Sequence, residues 1–133
     1  MKADQVTLTF NDEFIGEMVS PTGHVKLGRQ TEGVQPYHLL FGALGSCFYA
    51  TFLSVAHKMR LSFSDVSITV SGNKREEVPT TLDDVTIEMV VYNGSDEHKL
   101  IKAAELGAKY CSIHETISKV ANIKLDVTFE SKS

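Results

Sequence analysis

From Leu39 to Ala56 the chain runs for 18 residues without a formal charge. No other feature constrains the fold as strongly. Pro36, just before it, suits the first turn of a helix, where a missing N–H costs nothing. The pattern predicts one helix reaching about Met59. Leu39, Leu40, Leu44, Phe48, Phe52, Leu53 and Val55 fall on almost every side of it. Such a helix must be covered all round, by a sheet on one side and a partner subunit on the other, or by a second helix. Eighteen uncharged residues also meet the minimum for a membrane span. But Gly42, Gly45, Ser46, Thr51 and Ser54 interrupt the run, and His38 and His57 close its ends. Half-polar strand patterns lie on both sides, so the central helix of a soluble core is the expectation.

Those flanking patterns have period two. Val6, Leu8 and Phe10 alternate with Thr7 and Thr9, Asn11 and Asp12 make a turn, and Phe14 to Val19 returns. Pro21-Thr22-Gly23 turns again, and His24 to Leu27 is a third short strand, completing an antiparallel meander. Gly28 to Gln35 is a polar loop. Beyond the helix, Val66, Ile68 and Val70 alternate, followed by a charged connection from Gly72 to Thr81. Leu82 to Tyr92 places Val85, Ile87, Met89 and Val91 on one face. Ser95, Asp96 and Glu97 open a second helix with cap and dipole chemistry in place. Its apolar stripe is Leu100, Ile101, Ala104 and Ala108, and Leu125, Val127 and Phe129 mark a last strand. The order βββ-α-ββ-α-β predicts an α+β domain whose antiparallel strands pack over two helices.

A chain of 133 residues suits a single domain, 1–133. Thirteen Lys and Arg against 17 Asp and Glu leave a formal charge of −4, which argues against a nucleic-acid or anionic-membrane binder. The start of the chain lacks a basic region followed by an apolar run, so no signal peptide is expected. Cys47 and Cys111 are too few for a stapled secreted domain. The expected compartment is the cytoplasm.

Cys47 lies midway along the uncharged helix, and Cys111 precedes Ser112-Ile113-His114-Glu115. Ser112 with Glu115 has the form of a capping box. If the box is used, the second helical run stops near Tyr110 and a new helix starts at Ile113. Cys111 would then sit at a helix N-terminus, where unpaired N–H groups favour a thiolate. One continuous helix from Asp96 to Val120 is the other option. Both thiols as small buried hydrophobes is the bland reading, since that is the usual fate of free cysteine. Zinc binding through Cys111 and His114 supplies two ligands where zinc wants four, or three with water. Spacing alone does not bring the two cysteines together.

Pro36-Tyr37-His38-Leu39-Leu40-Phe41-Gly42-Ala43-Leu44-Gly45-Ser46-Cys47 resembles the first cysteine motif of the OsmC/Ohr family (osmotically inducible protein C and organic hydroperoxide resistance protein). Ala104-Glu105-Leu106-Gly107-Ala108-Lys109-Tyr110-Cys111-Ser112-Ile113 resembles the second, and the 64-residue interval between the thiols fits as well. The resemblance implies an intertwined homodimer with sheets wrapped around two central helices and an active site at the subunit interface. It implies a thiol-dependent peroxidase in oxidative-stress defence. Cys47 would become a sulfenic acid on meeting an organic hydroperoxide, and Cys111 would resolve it to a disulfide. A dithiol reductant, a lipoylated protein in some members, would restore the thiols. No metal, haem or flavin is required.

A thiolate in a buried setting needs support, and Arg29, 18 residues before Cys47, lies near where one branch of the family places its activating arginine. Two departures stand out. Tyr37 and His38 occupy the positions where the family usually carries a glutamate, leaving Glu32 as a substitute carboxylate or His38 in a different role. Ser112 replaces the proline commonly found after the second cysteine. The competing expectation on the same fold is a non-enzymatic dimeric binding protein for a small apolar ligand, or a thiol redox sensor.

Overall fold

The first three strands, seen in a computed structural model that describes residues 1–133, are β1 (Thr7–Phe10), β2 (Ile15–Val19) and β3 (His24–Gly28). They form an antiparallel sheet in that order, with Thr9 opposite Glu17 and Glu17 opposite Lys26, so opposite charges meet across β2 and β3. The sheet ends at Gly28, whose φ of 83° suits glycine, and a side chain there would strike the Phe14 carbonyl. That carbonyl instead accepts the Arg29 N–H at 2.8 Å. Gln30 then ties the loop down, donating from Nε2 to the carbonyls of Gly16 and Leu27 at 2.9 and 2.8 Å. These elements belong to one compact unit, Met1–Leu40, and the remainder, Phe41–Ser133, forms another.

The uncharged stretch is α1 (Pro36–Lys58), a single helix of 23 residues that begins at the end of the first unit. In the second unit it is followed by β4 (Asp65–Lys74), β5 (Leu82–Tyr92), α2 (Glu97–Tyr110), α3 (Ser112–Ser118) and β6 (Asn122–Glu130). β5 is central in the sheet and turns Leu82, Val85, Ile87, Met89 and Val91 inward. An irregularity in its pairing at Asn73/Lys74 places Leu82 and Val85, three residues apart, on the same buried face. The core joins this face to Leu44, Phe48, Phe52 and Ala56 of α1 and to Leu100, Ala103 and Ala104 of α2. Gly45 lets α1 lie close to β4, since a Cβ there would come within 3.3 Å of Val70 Cγ2.

The α+β class and the order of strands and helices match the sequence reading, with two differences. The sheets are not all antiparallel: β5 and β6 run parallel, from Asp84 opposite Asn122 to Tyr92 opposite Glu130. A parallel pair needs a long crossover rather than a hairpin, and the helical run between the two strands supplies it. That run is also broken, giving three helices rather than two.

α1 remains the unusual element. Its most apolar window has a mean hydropathy of 1.7, enough by length and composition to cross a membrane, yet only 28% of that window is buried within this chain. Gly42, Ser46, Ala50 and Ser54, spaced four apart, are exposed along one side.

Candidate functional site

Two helices bring the cysteines together, and one glycine sets how closely. α1 carries Cys47 directly before Phe48, whose ring stacks on that of Phe52 and anchors the helix in the core. α2 crosses it at Gly107, where a Cβ would meet the Phe52 backbone at 2.9 Å from Cα and 3.0 Å from N. Without a side chain the two backbones touch. Four residues further on, about 6 Å along a helix axis, α2 ends and Cys111 follows.

Cys111 joins α2 to α3. Its backbone is extended (φ −78°, ψ 118°), its N–H donates to the Ala108 carbonyl, and its Sγ accepts the His114 N–H at 3.4 Å. It is therefore the C-cap of one helix and the N-cap of the next. The Ser112–Glu115 box is not the device used, and α3 starts at Ser112 rather than Ile113. Cysteine sulfur takes the place of the usual serine or aspartate oxygen.

The consequence for the thiols reverses a sequence expectation. Cys111 is 1% exposed, and burial chiefly, then its contact with Cys47, raises its thiol above the ordinary value. Cys47 is half-buried. Burial alone would raise it too, but donors overcome this: the Cys111 thiol, the N–H groups of Ile113 and Ser112, and the Ser112 hydroxyl. The net shift of Cys47 is downward. The free N–H groups that open α3 thus serve the sulfur of the other cysteine. Burial lowers His114, partly opposed by Glu115, so its imidazole favours the neutral form. Such an arrangement offers one thiol poised to ionise and a second, protonated thiol within hydrogen-bonding reach.

The other residues singled out from sequence lie in the first unit. Arg29 is exposed and lines a surface depression of about 340 Å³ with Glu13, Phe14 and Ile15. Glu13 is the carboxylate that lines this depression with it. Glu32 sits at φ 64° in the loop after β3. Tyr37 is half-buried in the first turn of α1. His38 Nδ1 accepts the Gln35 N–H at 3.0 Å, doing at the third helical position what the glutamate of a capping box does. Two features were missed. One is the pair of donors on Ser112. The other is a cleft of about 350 Å³ between α1 and β4, lined by Phe41, Gly42, Gly45, Ser46, Tyr49, Ile68 and Val70.

Residues 28–126, spanning both cysteines and the strands around them, match the family described as OsmC-like protein. The chain belongs to the OsmC-like family. Protein YhfA of Escherichia coli K12 is 28% identical over 116 residues, covering 83% of this chain and 84% of that one. Among solved structures, a hypothetical protein from Aquifex aeolicus VF5 superposes with a TM-score of 0.88 at 24% identity over the whole of both chains. An organic hydroperoxide resistance protein from Legionella pneumophila gives a TM-score of 0.75 at 15% identity, over 96% of this chain and 98% of that one. At these identities the structural likeness is one of fold.

Proposed function

We propose that the protein is a thiol-dependent peroxidase that reduces organic hydroperoxides in cytoplasmic defence against oxidative stress. The observation that carries this reading is the contact between the two thiols, with Cys47 shifted toward the thiolate and Cys111 held protonated. Family membership and the hydroperoxide-resistance relative with the same fold support it.

The Cys47 thiolate is the nucleophile, because the thiolate and not the thiol attacks peroxide. It bonds to one peroxide oxygen, the O–O bond breaks, and the departing alkoxide takes a proton to become an alcohol. Cys47 is left as a sulfenic acid. Cys111 sulfur then attacks Cys47 sulfur, an S–S bond forms, and hydroxide leaves with the Cys111 proton as water. Two thiols are oxidised by two electrons and the hydroperoxide is reduced by two. A dithiol reductant, such as a lipoylated protein, reopens the disulfide by exchange.

The working form is an intertwined homodimer, each chain acting as a single OsmC-like domain. Three features support it: the incompletely buried α1 window, the small residues on its open side, and a groove in the first unit lined by Leu8, Phe10, Phe14, Leu27, Val34, Pro36 and Leu39. Arg29 supplies a cation for the thiolate in this assembly, and Tyr37, His38 and Glu32 belong to its substrate pocket. The engagement of His38 in the helix cap favours one second reading, a redox sensor that oxidises once without efficient recycling.

Peroxide consumption with excess dithiol decides between them. Cys47→Ser loses turnover and leaves Cys111 unoxidised, while Cys111→Ser accumulates a Cys47 sulfenic acid that a dimedone probe captures. Full turnover by Cys47→Ser refutes the assignment, and a single turnover by the native protein supports the sensor.

A further inference from the structure

Asn93 and Gly94, which follow β5, are each fixed for a separate reason. Asn93 takes φ 56°, in the left-handed region that asparagine tolerates better than most residues. Gly94 packs against Leu100 of α2: a Cβ there would come within 2.6 Å of Leu100 Cδ1, so no larger residue fits without a shift. The pairing has a chemical consequence. With no side chain on the second residue, little hinders its backbone nitrogen from reaching the asparagine carboxamide carbon.

A clasp restrains that carboxamide. Asn93 Oδ1 accepts the Lys132 N–H at 3.1 Å, and Nδ2 donates to the Lys132 carbonyl at 2.8 Å. Nδ2 donates also to Ser64 Oγ at 3.1 Å, and the Asn93 N–H donates to the Glu130 carbonyl at 2.9 Å. The Lys132 ammonium pairs with Asp65 and lies 4.4 Å from the centre of the Tyr92 ring. We propose that Asn93 is a modification site, deamidating through Gly94 at a rate set by the docking of residues 131–133. The Gly94 nitrogen bonds to Asn93 Cγ, the Cγ–Nδ2 bond breaks, and ammonia leaves with the proton that nitrogen gave up. Water opens the resulting succinimide at either carbonyl, giving aspartate or isoaspartate, and nothing is oxidised or reduced. The carboxamide must turn from Lys132 to Gly94 for the ring to close, so the reaction waits for the clasp to open locally. The product is unable to close it again. A carboxylate only accepts, so the bonds to the Lys132 carbonyl and to Ser64 Oγ are lost. The Ser64 hydroxyl already donates to Asp65 at 2.7 Å, so a second carboxylate would crowd the first. The modification therefore releases the segment for good, and it requires neither cysteine.

Peptide mass spectrometry of the full-length protein, incubated at mildly alkaline pH with aspartate and isoaspartate resolved, follows Asn93 alone. Lys132→Pro removes the N–H and the ammonium together and should deamidate about tenfold faster than the native chain, since a hydrogen-bonded restraint has gone. Lys132→Ala keeps the backbone pair and should stay much closer to the native rate, because an exposed ion pair adds little. Asn93→Asp, read by hydrogen exchange, should leave the Lys132 amide exchanging about tenfold faster than in the native protein. An Asn93 that stays intact in the native chain and in Lys132→Pro would overturn the site. Equal rates in those two, or equal acceleration by Lys132→Ala, would overturn the clasp. Native protection of the Lys132 amide in Asn93→Asp would overturn the release.

Discussion

Cys47 and Cys111 have the same side chain and opposite tendencies, and the difference lies in what surrounds each sulfur. Burial dominates at Cys111, and donors outweigh it at Cys47. The sign of the resulting pH dependence follows. A thiol whose pKa is lowered is ionised at and above a pH below its ordinary range, so the rate of peroxide reduction should rise through a midpoint under 9.0 and level off above it. Stopped-flow rates of the reduced protein with an organic hydroperoxide give that midpoint directly, and a midpoint above 9.0 would contradict the assignment. From residues alone the pair was not legible, because 64 positions of sequence say nothing about distance. It was the resemblance of the two motifs that suggested it. The donors were illegible for another reason: Cys111 caps α3 with sulfur, and cysteine is not a residue from which a cap is read.

At the scale of elements, the crossing of α1 and α2 delivers one thiol to the other. At Gly107 the two helices pack closely, and Gly107→Ala puts a methyl against the Phe52 backbone. Overpacking of this kind costs about 1–3 kcal/mol. The variant should unfold at lower denaturant, and disulfide formation after peroxide should slow while alkylation of Cys47 stays near the native rate. An unchanged rate of disulfide formation would show that the crossing does not set the sulfur separation. The helices themselves were readable. α1 announces itself by its uncharged length, and α2 by Asp96, whose side chain accepts the Lys99 N–H at 3.1 Å. The parallel pairing of β5 with β6 was not, since Val85 to Val91 and Leu125 to Phe129 alternate with the same period whichever way their neighbours run.

The molecule as a whole poses the question that its most constraining segment raised at the outset. A helix apolar on almost every side needs cover, and only 28% of its apolar window is fully buried within this chain. A second copy supplies the rest in the account given above. Small residues permit close helix approach, and Gly42, Ser46, Ala50 and Ser54 provide a row of them. Ala50→Glu, which sets a carboxylate in that row, should convert a dimer to a monomer or an aggregate in sedimentation velocity. A native protein that sediments as a monomer at micromolar concentration would remove the dimer. Everything functional then returns to two sulfur atoms. Reduced protein treated with one equivalent of tert-butyl hydroperoxide should lose two hydrogens in intact mass, with a single peptide pair linked through Cys47 and Cys111. A gain of one or more oxygens on Cys47 with Cys111 still free, or no change at all, would contradict it.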